Sequence, residues 1–83
     1  MSTTPEVAIV DYGLGNLFSV KHACEFVGID ATITRETAEI EAADGVILPG
    51  VGAFNRAMDA LRDLELIDVL KAAPESGQPL IGI

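Results

Sequence analysis

The sequence predicts an α/β domain built on a parallel sheet, and three observations carry that expectation. The runs Val7-Ala8-Ile9-Val10 and Gly45-Val46-Ile47-Leu48 are short, apolar and free of alternation, as in strands buried on both faces. Each run ends in a glycine-bearing turn, Tyr12-Gly13-Leu14-Gly15 in one case and Pro49-Gly50-Val51-Gly52 in the other. Behind each turn, apolar residues recur at the three- and four-residue steps of an amphipathic helix. The order β-α-β-(short)-β-α-β belongs to a parallel sheet with helices on its faces.

The first strand closes at Asp11, and Asn16 stands where an N-cap would open the following helix. Leu17, Val20, Cys24 and Val27 form that helix's apolar stripe, with Lys21, His22 and Glu25 on the other side and Gly28 as its stop. Ala31-Thr32-Ile33-Thr34 is β-branched and reads as a second strand. Residues 35–43 are acidic and fit a loop or a helix of one to two turns. After the third strand, Met58, Leu61 and Leu64 continue a stripe from Phe54, and the ragged spacing at Glu65-Leu66-Ile67-Asp68 predicts a kink or restart. Pro74 and Gly77 are expected breakers, and Pro79-Leu80-Ile81-Gly82-Ile83 opens a fourth strand. Because the chain stops within that apolar strand, the 83 residues are expected to be the front part of a longer domain.

Composition narrows the function. At 83 residues the chain is at most one small domain, and a chain of this size buries roughly 60% of its unfolded surface. The hydrophobic share of 49% suits a packed core. Five basic against thirteen acidic residues give a net charge of −8, which argues against nucleic acid or an anionic membrane as partner. One cysteine and one histidine exclude an internal disulfide and a closed metal cage, so no metal or cofactor is expected. The first residues lack a basic leader and no run reaches membrane-spanning length, so a cytoplasmic protein is the default expectation.

The site candidates are mostly backbone. The turn at Gly50-Val51-Gly52 follows a buried strand, where ligands of open parallel sheets bind, and its glycines free an N–H to face a ligand or a developing anion. Gly13-Leu14-Gly15 begins like a dinucleotide fingerprint, but Phe18 occupies the place of the third glycine. Glu36 lies at the distance of the ribose-binding acid in a chain rich in acids. A turn capped by Asn16 fits better. Cys24 sits on the apolar stripe and reads as a core residue, His22 as a solvated one, and Arg35 with Glu36 as a surface pair. Asp59, Arg62, Asp63 and Lys71 fall on the wet side of the later helices. No nucleophile, base or metal ligand set emerges.

Three blocks resemble a known family. Ile9-Val10-Asp11-Tyr12-Gly13-Leu14-Gly15-Asn16-Leu17-Phe18-Ser19-Val20 is similar to the opening of the glutaminase subunits of imidazole glycerol phosphate synthase, which are triad-type (class I) glutamine amidotransferases. Residues 43–54, from Ala43 through Pro49-Gly50-Val51-Gly52 to Phe54, resemble their oxyanion strand, and Gln78-Pro79-Leu80-Ile81-Gly82-Ile83 their fourth strand. The likeness runs from Val7 to the end, with Glu65 standing where the family often has glycine.

The resemblance implies a flavodoxin-like, three-layer fold of which residues 1–83 form the N-terminal portion, ending just before the nucleophile elbow. The catalytic cysteine would follow Ile83 directly, and the triad's His and Glu would come later, so no catalytic residue is expected within these residues. Gly50, Val51 and Gly52 would supply the oxyanion-hole backbone, while Gly13, Gly15 and Asn16 would support that loop near the partner subunit. The implied reaction hydrolyses glutamine to glutamate and ammonia through a cysteine thioester. Ammonia would pass to a (β/α)8-barrel cyclase subunit in histidine biosynthesis. A small flavodoxin-like module binding nucleotide or phosphate, and an inactive fragment, are the competing readings.

Overall fold

The computed structural model describes residues 5–13, 15–50 and 54–83. Its elements follow in the order β1 (Glu6–Val10), α1 (Leu17–Phe26), β2 (Asp30–Thr34), α2 (Thr37–Ala42), β3 (Gly45–Leu48), α3 (Phe54–Asp63), α4 (Ile67–Glu75) and β4 (Leu80–Gly82). The four strands form one parallel sheet in the order β2-β1-β3-β4, as expected for a flavodoxin-like domain. The register pairs Ile9 with Ile33 on one side and with Ile47 on the other, and Ile47 in turn with Ile81.

Successive side chains of a strand point to opposite faces, and the sheet accordingly divides the core in two. Ala8, Val10 and Val46 pack with Tyr12, Ile40, Ala57, Leu61, Leu66, Val69 and Leu70, which places α2, α3 and α4 on one face. Ile9 and Ala31 pack with Cys24 of α1 on the other, flanked by Leu17, Val20 and Ile47. The chain therefore winds first over one face, then crosses back past β1 to lay down β3. The winding reverses between β1 and β3, and their carboxyl ends lie side by side.

Three helices end in the same way. After α1 the Ile29 N–H donates to the Cys24 carbonyl at 2.8 Å and the Gly28 N–H to Glu25 at 3.1 Å. After α4 the pairs are Gln78 to Ala73 at 2.9 Å and Gly77 to Pro74 at 3.1 Å, and after α3 they are Leu66 to Leu61 at 2.9 Å and Glu65 to Arg62 at 3.0 Å. Each closure needs a left-handed residue, and Gly28, Gly77 and Glu65 take φ of 87°, 86° and 58°. Glu65 alone carries a Cβ there. That explains the predicted restart between α3 and α4. A Glu65→Gly change is expected to stabilise the fold by roughly 0.5–1 kcal/mol, read as a higher denaturant midpoint at unchanged slope.

Three expectations need correction. Val27 is not part of the buried stripe but 67% exposed, because α1 has already ended and Val27 is its C-cap. Pro74 does not break α4: it lies in the last turn, and the helix runs on to Glu75 before Gly77 closes it. Arg35 pairs with Asp11 at 3.2 Å and not with Glu36, tying the end of β1 to the residue after β2.

Candidate functional site

The reversal between β1 and β3 brings the two glycine-bearing turns together. Asp11 is fixed first, its N–H donating to the Thr34 carbonyl at 2.9 Å. Tyr12 follows, buried at 3% exposure, and its hydroxyl donates to the Pro49 carbonyl. Pro49 is itself fully buried. Burial pushes the Tyr12 phenol above its ordinary value of 10.0. With the folded value raised, this bond is intact below the ordinary phenol value and is lost as pH rises through the folded one.

Gly15 explains the second glycine of the first turn. Its φ is +89°, and a Cβ built on it would lie 2.7 Å from the Pro49 Cβ, 3.0 Å from the Gly50 nitrogen and 3.1 Å from the Pro49 carbonyl carbon. No side chain fits between these backbones. Gly13, at φ +90°, has open space around it. Asn16 acts as the N-cap read from the sequence, accepting the Ser19 N–H on its side-chain oxygen at 3.2 Å. Gly50 takes φ +79°, a conformation that favours glycine. Val51 and Gly52, the other two expected oxyanion residues, lie outside the described residues, as does Leu14.

β4 completes the neighbourhood. It runs parallel to β3, with Leu48 opposite Gly82, and the Ile83 N–H donates to the Leu48 carbonyl at 3.0 Å. Ile83 therefore lies beside the residue that enters the Pro49-Gly50 turn. A reacting group borne just after Ile83 would stand next to that turn.

The remaining candidates lie elsewhere. Cys24 is a buried free thiol in the α1-side core, and His22 is exposed on the helix surface. A groove of about 450 Å³ runs along β1 and β2 beneath α2, and neither Tyr12 nor Pro49 nor Gly50 lines it. Its Thr34 hydroxyl is already engaged, donating to Glu39 at 2.5 Å and accepting the Glu36 N–H at 3.0 Å. Among the described residues no group of three or more His, Cys, Asp or Glu is placed to hold a metal ion, and no helix is long and apolar enough to cross a membrane.

The feature that sequence reading missed is the bond from Tyr12 to Pro49. Its only signal was a tyrosine placed between a buried strand and a glycine turn, where the fold needs no aromatic ring.

Known proteins give these turns a context. The chain is 52% identical over its full 83 residues to the imidazole glycerol phosphate synthase subunit HisH of Synechococcus elongatus. It is 49% identical over 81 residues, 98% of the chain, to that of Thermosynechococcus vestitus, and 49% over 77 residues, 93% of the chain, to that of Bacillus cereus. The chain is a homologue of the HisH subunits. It spans 38% of the Synechococcus HisH, 39% of the Thermosynechococcus one and 37% of the Bacillus one. No family model matches the chain. Identity near one half along the whole chain carries the likeness to HisH through both glycine turns and β4.

Proposed function

We propose that this chain supplies the oxyanion strand of a glutamine amidotransferase, the glutaminase subunit of imidazole glycerol phosphate synthase, as residues 1–83 of its single amidotransferase domain. One observation carries the reading: β4 delivers Ile83 alongside Leu48 by a 3.0 Å hydrogen bond, so a cysteine directly after Ile83 would face the Pro49-Gly50 turn. The identity to HisH supports the same assignment.

In this reading the cysteine thiolate attacks the side-chain amide of glutamine. Backbone N–H groups of the Gly50-Val51-Gly52 turn receive the oxyanion, ammonia leaves, and water releases glutamate from the thioester. No cofactor is required. Gly15 packs against the Pro49-Gly50 turn, and in this reading Gly13, Gly15 and Asn16 support that loop on the side of a (β/α)8-barrel cyclase subunit that takes the ammonia. Its proposed compartment is the cytoplasm. The mode of activation is a peptide reorientation at Val51 on partner binding, which flanking glycines make sterically cheap.

The test is glutamate release by the subunit assembled with its cyclase. Wild-type complex is expected to hydrolyse glutamine in a partner-stimulated manner, and Gly52→Val to lower that rate about 100- to 1,000-fold. No hydrolysis by the wild-type complex, or unchanged stimulation in the variant, would sink the proposal.

A further inference from the structure

We infer that Tyr12 is a positioning residue of this site: its hydroxyl, donating to the Pro49 carbonyl, locks the Pro49–Gly50 peptide and with it the direction of the Gly50 N–H. The inference rests on the proposed function and adds a residue to it.

The argument begins with the peptide plane. A trans peptide holds its C=O and N–H antiparallel in one rigid unit. Fixing the Pro49 oxygen therefore fixes the direction of the Gly50 N–H. Gly15 closes against the same unit, because even a methyl group there would come within 3.0 Å of the Gly50 nitrogen. Turning this peptide over would break a buried hydrogen bond and drive its atoms against Gly15. Proline adds its own restraint, with a ring that locks φ at Pro49.

The anchor is itself held. The Asp11 N–H is bonded to Thr34 of β2 and its carboxylate to Arg35, so the residue before Tyr12 cannot drift. The tyrosine ring packs in the cluster containing Ala57, Leu61 and Leu66. Phenylalanine would fill that space equally well, so the hydroxyl is needed only for the carbonyl it meets. Beyond the locked peptide comes Gly50 at φ +79°, where the steric barrier to rotation is lowest. The turn is thus held rigid on its strand side.

The test substitutes Tyr12→Phe in the glutaminase–cyclase complex, with Ala73→Gly in α4 as a destabilised variant remote from the turn. The expected result is a fall in partner-stimulated kcat of about 10-fold or more, the kinetic equivalent of leaving a buried carbonyl without its donor, with KM for glutamine changed less than about two-fold. Ala73→Gly should keep the wild-type kcat per folded molecule. A second readout is independent of activity: amide hydrogen exchange at Gly50 should quicken at least about 10-fold in Tyr12→Phe relative to Ala73→Gly. Wild-type kcat in Tyr12→Phe, equal losses in the two variants, or unchanged exchange at Gly50 would each overturn the inference. If the wild-type complex releases no glutamate, the functional reading fails, and the exchange at Gly50 then decides the anchor alone.

Discussion

Gly15→Ala should destabilise the fold by about 3 kcal/mol, while Gly13→Ala, two residues away, should cost only about 1–2 kcal/mol. The two glycines share nearly the same backbone conformation, with φ of +89° and +90°. Forcing an L side chain into that region costs about the same at both. They differ in what the new methyl meets. At Gly13 there is nothing within 4 Å, whereas at Gly15 it strikes the Pro49 Cβ at 2.7 Å and the peptide behind it. Neither neighbour can yield easily: Pro49 is a buried ring, and its carbonyl is tied to Tyr12. Denaturant unfolding of the two variants measures the difference directly, since backbone strain is common to both and cancels. Equal midpoints would mean that the turns can separate without cost. The same pair bears on the proposed function, because a displaced Pro49–Gly50 peptide should lower the proposed glutaminase activity in Gly15→Ala beyond its loss of folded protein.

Much of this architecture was legible because it is local. The apolar run of β1, the Asn16 cap and the Gly28 stop each depend on residues within one turn of chain, and each stands where the pattern put it. The restart at Glu65 was legible too, although its cause, a left-handed glutamate, was not. Pro74 misled because a proline in a last turn removes a single ladder donor, and the closure through Gly77 and Gln78 survives it. Val27 misled because a periodic stripe does not reveal where the helix stops. The site was half legible. Glycine turns after strands mark the right edge of the sheet, but alternation of elements says only that strands are parallel, not which are neighbours. The bond from Tyr12 to Pro49 spans 37 positions and exists only because β3 lies beside β1.

Ile40→Ala is expected to cost about 3 kcal/mol, and to do so by undocking α2. This helix has six residues, well short of what is stable alone in water, and its N-cap Glu36 makes no side-chain capping bond. Two things hold it. Ile40 is its one buried residue, at 0% exposure in the cluster with Val10, Val46 and Leu70. At the other end Gln78 donates from its side-chain amide to the carbonyls of Ile40 at 2.7 Å and Ala43 at 2.8 Å, satisfying groups that the helix end leaves open. Shortening Ile40 leaves a cavity beneath the helix and loosens the carbonyl that Gln78 holds, so Ile40→Ala and Gln78→Ala should couple by more than about 0.5 kcal/mol in a double-mutant cycle. Additive losses would show that packing and cap act separately. Hydrogen exchange locates the damage: protection should fall first in residues 37–43 and later in β1. If β1 and β3 lose protection together with α2, the helix is not a separate unit but part of what holds the two turns in register.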